Sequence, residues 1–419
     1  MASNKKIWAT LSYIFASLFL LYEMSLQVSP SIMTKQLMKD FSLTATTLGL
    51  MSSFYFYSYS IMQIPVGLLF DRFNAKILIA IATLICVAGA FFFAEADTFT
   101  FASLGRFFMG FGSAFAFVGV LTIANRWFAP KHFAFLVGMA QFLAAAGAWG
   151  GAYPLALWLE NSGWRPMIFI LATIGVGLML TSIFFIKDHP QGTRVKKPVH
   201  HLLKELKVLL KNFQVYLLFI YAFCMWGPVT VLPALWAPSY LQARFHVSDA
   251  QAAFSSGMIW FGIALSAPIL GLLSDRLKRR KPFIVIPSII GLISSLVLLY
   301  MPNLEFGTTH LLFFLIGIAA AAQILSFAIG REINNPSVVS TGIGLNNMGV
   351  VLGGAILQPV VGKIIQYTSH NSIVVQGVPV YAVSDYTWGL SVVPICFLVG
   401  VIVACMIKET YCKPVWSKN

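Results

Sequence analysis

Twelve stretches of this chain are each long and apolar enough to cross a bilayer, most of them separated by short polar breaks. A spanning helix needs roughly 20 mostly apolar residues to cover about 30 Å of hydrocarbon. Inside lipid every backbone N–H and C=O must find its partner within the protein, so runs of this length fold as helices. The expected fold class is therefore all-α and integral to a membrane. Composition agrees, because 58% hydrophobic and 10% charged residues, with a mean hydropathy of +0.81, leave too little polar surface to clothe 419 residues in water.

The expected spans are 7–33, 47–70, 77–95, 99–125, 133–157 and 165–186, then 213–240, 251–273, 283–301, 309–330, 339–367 and 386–407. Lys5 and Lys6 precede the first stretch much as in a secretory leader. That stretch is nevertheless longer than a leader's apolar core, contains Glu23 and is followed by eleven more spans, so it is read as a retained helix.

One motif occurs twice, 204 residues apart, as Gly67-Leu-Leu-Phe-Asp71-Arg72 and Gly271-Leu-Leu-Ser-Asp275-Arg276. Each copy closes an apolar run with a burst of charge. The chain thus divides into an N-terminal six-helix bundle (1–186), a linker with an amphipathic helix (187–212) and a C-terminal six-helix bundle (213–419). Two pseudo-symmetric bundles enclose a site near the membrane midplane that rocking can expose to either side.

Basic residues set the expected orientation, because Lys and Arg near span ends stay on the cytoplasmic side. With both termini cytoplasmic, 22 of the 28 Lys and Arg face that side, and inverting the arrangement destroys the bias. The net charge of +14 is spread over short loops without interleaved aromatics. Anionic lipid headgroups are therefore the expected partner, and nucleic acid is not. The stretch His201-Leu-Leu-Lys-Glu-Leu-Lys-Val-Leu-Leu-Lys211 has the spacing of an interfacial helix. The five cysteines lack CxxC spacing, so no metal site or disulfide framework is indicated. No Asn-x-Ser/Thr sequon occurs, which suits a bacterial inner membrane. A monomer is expected.

The twelve spans, the duplication and the motif after the second span resemble the major facilitator superfamily over essentially the whole chain. That family's motif reads Gly-x-x-x-Asp-Arg-x-Gly-Arg-Arg/Lys. Gly67, Asp71, Arg72 and Lys76 match it, while Asn74 and Ala75 depart from it. The second copy keeps Gly271, Asp275, Arg276, Arg279 and Arg280, with Lys278 in place of the middle glycine. The resemblance implies a cytoplasmic latch in which Asp71 meets the positive N-terminus of helix eleven, near 338–342. Gly67 would permit the close helix approach that the latch needs.

Helix four carries Gly105-Arg106-Phe-Phe-Met-Gly110, which resembles the family's Arg-x-x-x-Gly pattern. An arginine at that depth is costly unless it faces the interior and a partner, and Glu23 is the expected one. Glu23 and Gln27 lie one turn apart on one helix face. Held between desolvation and a guanidinium, Glu23 is suited to load and release a proton, and the pair Glu23 and Arg106 is expected to couple transport to a proton gradient, with no cofactor. The alternatives are a purely structural bridge and a contact to a substrate amine. Candidate substrate contacts are Gln27, Tyr55, Tyr59, Gln141, Trp226, Trp260, Gln323, Asn346, Asn347 and Gln358.

Helix five lacks the Gly-Pro motif of the family's drug antiporters, which favours import over efflux. The phrases Tyr22-Glu-Met-Ser-Leu-Gln-Val-Ser-Pro30, Gln63-Ile-Pro-Val-Gly-Leu-Leu-Phe-Asp71-Arg72 and Gly353-Gly-Ala-Ile-Leu-Gln-Pro359 resemble the phagosomal nutrient transporter group of intracellular bacteria. That resemblance implies proton-coupled import of a small polar or zwitterionic nutrient such as an amino acid, by alternating access. Import of organic anions, carboxylate siderophores or nucleosides is the alternative, ahead of an efflux antiporter or a non-transporting sensor. No paired catalytic carboxylates, metal cluster or nucleophile motif points to an enzyme.

Overall fold

A computed structural model of the chain describes residues 2–128, 130–187, 207, 209–335, 339–369, 373–375 and 378–415. In chain order the long helical segments are α1 (Lys6–Ser31), α2 (Ala45–Arg72), α3 (Ala75–Ala94), α4 (Phe99–Trp127), α5 (Leu136–Leu159) and α6 (Trp164–Phe185). They continue with α7 (Phe213–Phe245), α8 (Asp249–Leu277), α9 (Lys281–Tyr300), α10 (Phe306–Ile333), α11 (Thr341–Thr368) and α12 (Val383–Met406). A small antiparallel hairpin, Ile373–Val375 against Val378–Val380, follows α11.

Eleven of these segments are long and apolar enough to cross a membrane, and α2 is long enough but too polar. It carries Thr46, Thr47, Ser52, Ser53, Tyr55, Tyr57, Ser58, Tyr59, Ser60 and Gln63. Its packing explains why, since α2 lies between α4 of its own half and α11 of the other. Several of its hydroxyls are satisfied on carbonyls, as where Ser53 Oγ donates to Leu50 O and Ser58 Oγ to Phe107 O, each at 2.7 Å. Local signals start the helices where they are needed. Capping boxes at Thr44 with Thr47 and at Ser248 with Gln251 open α2 and α8, and Thr98 caps α4.

The duplication is explicit in the packing. In the first half α1 packs on α4, α5 and α6, α2 on α4, and α3 on α4 and α6. Adding six to every label gives the second half, where α7 packs on α10, α11 and α12, α8 on α10, and α9 on α10 and α12. Backbone detail repeats as well. A side-chain carbon added at Gly110 would overlap the carbonyl of Tyr55, and one at Gly317 would overlap that of Ile259, 204 residues after Tyr55. The halves meet along α2 with α11 and α5 with α8, two seams that the same shift exchanges.

The seams close unevenly. At the end remote from the duplicated motifs, Gly49 abuts Gln358 and Pro359, and Gly362 abuts Ala45. There the Ala45 N–H also donates to Tyr381 Oη at 2.9 Å, and the turn 29–31 touches the wide turn 232–236 of α7. Toward the motif end, the cross-half hydrogen bond from Asn347 to Gln63 joins α11 to α2. Beyond it, among the described residues, a carbon added at Gly67 or Gly271 would meet nothing within 4 Å, and Gly342 faces Asn334 of its own half and Leu209 near the end of the linker. Among the described residues, then, no neighbour makes the close approach expected at Gly67. The linker 188–206 and the side chains of Asp71 and Arg72 lie outside the described residues.

Candidate functional site

The polar groups of the interior assemble from α1 outward. Glu23 is 1% exposed, and the phenol of Tyr55 on α2 donates to its Oε2 at 2.6 Å. Arg106 on α4, also 1% exposed, does not pair with Glu23 as the sequence suggests. Its Nη1 donates to Leu26 O at 2.7 Å and its Nη2 to Gln27 O at 3.3 Å. These carbonyls lie where α1 tightens into the turn 29–31, and Leu26 O also accepts the Ser29 hydroxyl at 2.9 Å. The guanidinium carbon also lies 4.7 Å from the centre of the Tyr55 ring. Tyr55 thus stands between the two groups, offering its hydroxyl to the acid and its face to the base.

A cavity of about 70 Å³ opens beside Glu23 at the junction of the halves. Gln27, Tyr59 and Gln141 line it from the first half, and Trp226, Trp260, Gln323 and Asn347 from the second. Leu20, Met24, Phe117, Ile263, Phe327, Val350 and Val351 make the rest of the wall mostly apolar. Pockets that hold small ligands usually measure about 300–1,000 Å³, so the halves are drawn in around this one. Trp226 and Trp260 meet edge to face with ring centres 6.3 Å apart. No Lys, Arg or His is among the lining residues.

Three sequence candidates lie elsewhere. Tyr55 is behind the wall, holding Glu23. Asn346 turns into α10 and donates to Ser326 Oγ at 2.7 Å, because adjacent residues on a helix point about 100° apart and only Asn347 faces the cavity. Gln358 donates to Thr230 O at 2.7 Å, within the packing of α7 on α11. Conversely, Gln63 was not among the candidates although it binds Asn347 across the seam. An amide on a helix interior one turn past a tyrosine of the polar stripe is the signal that could have found it.

The second motif works within its own half. The Arg280 guanidinium contacts Asp275 at 2.8 Å and Glu332 at 2.7 Å. Arg279 lies over the ring of Tyr411, its guanidinium carbon 5.1 Å from the ring centre. The Glu409 carboxylate accepts the backbone N–H groups of Arg280 and Lys281, each at 2.9 Å, at the start of α9. Burial works against its charged form. Backbone donors at Lys281, Arg280, Tyr411 and Thr410 outweigh that effect and hold the carboxyl below its ordinary value. Arg276 is exposed, and Lys76 sits half-buried in the first turn of α3.

Comparisons with known proteins bear on the whole chain. A family model described as Major Facilitator Superfamily matches residues 14–358. The probable sulfoacetate transporter SauU of Cupriavidus necator is 23% identical over 278 residues, covering 61% of this chain and 62% of that protein. The nitrite extrusion protein of Bacillus subtilis is 22% identical over 282 residues, covering 66% and 68%. The chain therefore spans about two thirds or less of these relatives' length. A crystal structure of a bacterial homologue of the human lysosomal transporter Spinster, inward-facing and unoccupied, superposes with a TM-score of 0.75 at 17% identity, covering 97% of this chain and 96% of that one. That likeness is one of fold, and with the long apolar helices it makes this an integral membrane protein.

Proposed function

We propose, from the premise that this chain belongs to the Major Facilitator Superfamily, that it is a proton-coupled secondary transporter of a small zwitterionic nutrient such as an amino acid. The carrying observation is the cavity lining, which has one carboxylate, two tryptophan rings, several amides and no cationic side chain. A carboxylate beside aromatic faces suits an ammonium group, and the amides suit oxygen acceptors. Alternating access is supported by the two exchanged seams, of which one end is sealed and the other parts beyond the Gln63 and Asn347 contact. The basic bias supports placing the motif end and both termini in the cytoplasm of a bacterium, and the resemblance to the phagosomal nutrient transporters supports import.

Glu23 is the proposed proton carrier, since water entering from alternate sides changes its surroundings while Tyr55 keeps it in place. In proteoliposomes, Glu23→Gln should abolish uptake driven by a pH gradient while leaving part of the counterflow exchange intact. Undiminished gradient-driven uptake would overturn the role.

A second reading is favoured by the relatives, whose names specify sulfoacetate and nitrite. An anionic cargo would here lack a cationic lining residue. Thermal stabilisation of the purified protein by amino acids, against dicarboxylates and sulfonates, separates the two, because a ligand that binds the folded state raises its stability.

A further inference from the structure

The internal symmetry fails at one point of the cavity wall. In the first half α4 runs unbroken from Phe99 to Trp127. Its counterpart α10 stops at Ala321 and restarts as a ten-residue helix, Ile324–Ile333. Tight bonds bridge the break, Gln323 N–H to Ala320 O at 3.1 Å and Ser326 N–H to Gln323 O at 2.9 Å. Gln323 stands at the head of the new helix, and its side chain lines the cavity.

Two residues of this wall carry buried donors without partners among the described residues. Gln323 is 2% exposed and its Nε2 binds no protein acceptor; Trp260 on the neighbouring α8 is 2% exposed and its Nε1–H is likewise unpaired. Leaving a buried donor unmade carries the full cost of its desolvation. Two such groups lining one cavity therefore mark a place shaped for an acceptor they do not find in the protein. The backbone at the restart is already engaged, Leu325 N–H on Ala322 O and Ser326 N–H on Gln323 O, so the two side-chain donors are what the site offers. Glu23, on the first half's side, is the cavity's one carboxylate and needs the opposite kind of partner.

We infer that the second half supplies an oxyanion subsite without formal charge, in which Trp260 Nε1–H and Gln323 Nε2–H receive the carboxylate of the cargo. This rests on the transport reading above and adds a direction to it. The cargo lies across the seam, ammonium toward Glu23 and carboxylate toward Gln323, so both halves must close before both ends are held. It also gives a cationless cavity a means of holding a carboxylate or sulfonate.

The test measures thermal stabilisation of the full-length protein in nanodiscs by amino acids, their primary amides, the matching decarboxylated amines, and small dicarboxylates and sulfonates. For the wild-type protein, an amino acid should bind about 10- to 100-fold more tightly than its amide, as expected for hydrogen bonds to a charged acceptor. Gln323→Leu should erase most of that preference while leaving amine affinity unchanged, and Trp260→Phe should likewise erase most of it. Because the acid-to-amide comparison needs no variant, a misfolded variant cannot hide the answer. Equal binding of acid and amide overturns the subsite, as does the absence of binding by every carboxylate and sulfonate tried. If dicarboxylates or sulfonates bind in a Gln323-dependent way and amino acids do not, the subsite stands and the zwitterion reading falls. If amines bind through Glu23 with no carboxylate preference, the subsite falls and the amine reading stands.

Discussion

Glu23 and Arg106 are both buried but hold different partners, and a double-mutant cycle reads that difference directly. Arg106→Met keeps much of the side-chain volume and removes the donors to Leu26 O and Gln27 O. The first bond, at 2.7 Å, is a full charge-assisted hydrogen bond, and the second, at 3.3 Å, is weaker. With a buried charge-assisted bond lost at each carbonyl, Leu26 O keeping only the Ser29 hydroxyl, and the contact over Tyr55 lost, the cost should be about 2–4 kcal/mol. Glu23→Gln retains an acceptor for the Tyr55 hydroxyl and should cost less than about 1 kcal/mol. Since the two groups communicate only through the Tyr55 ring, the interaction energy of the double variant should stay below about 0.5 kcal/mol. Were they a buried ion pair, Glu23→Gln alone would strand a buried guanidinium at about 3–5 kcal/mol. Denaturant titration of ellipticity in mixed micelles supplies all four corners, and a coupling above about 2 kcal/mol would refute the geometry described for Arg106.

The contact between Gln63 and Asn347 is a cross-half hydrogen bond near the motif end of the α2 and α11 seam. At about 0.5–1.5 kcal/mol, its loss in Gln63→Leu should raise thiol labelling at Gly344→Cys by about 2- to 12-fold, on a background with Cys405 and Cys412 replaced; unchanged labelling counts against a gate there. The Glu409 carboxyl is held below its ordinary value of 4.5, so the stabilisation it gives the 409–415 segment is complete above that pH and lost only as pH falls through the lower folded value. Amide exchange should show protection of that segment at pH 5 to 7 that weakens below 4.5, and Glu409→Gln should lower protection across the whole range. Gly110→Ala and Gly317→Ala force a methyl into a facing carbonyl and should each lower stability by about 1–3 kcal/mol, whereas Gly67→Ala and Gly271→Ala meet open space and should leave the melting temperature nearly unchanged.

The architecture was legible because its causes are local. Hydrocarbon demands long apolar helices, and the paired motifs at a constant spacing announced a duplication that reappears in the main packing pairs of the two halves. Even α2, too polar to stand as an ordinary span, was recognisable from its length and from the motif that ends it. The site was legible by type more than by partner. Depth along a helix placed Glu23, Gln27, Tyr59, Gln141, Trp226, Trp260, Gln323 and Asn347 on the cavity wall. The same reasoning could not separate Asn346 from Asn347, or see that Gln358 is spent on Thr230.

The sequence by itself therefore determined how many helices there are, that they form two equivalent sets, and which polar residues are sunk in the membrane. These follow from periodicity, length and the cost of burying charge. Tertiary structure alone decided that Arg106 closes the end of α1 instead of neutralising Glu23, that α10 breaks where α4 does not, and that the seam packs backbone on backbone at the end remote from the motifs. Each of those outcomes depends on distances between helices far apart in the chain, where a difference of a few ångströms selects a carbonyl over a carboxylate as the partner.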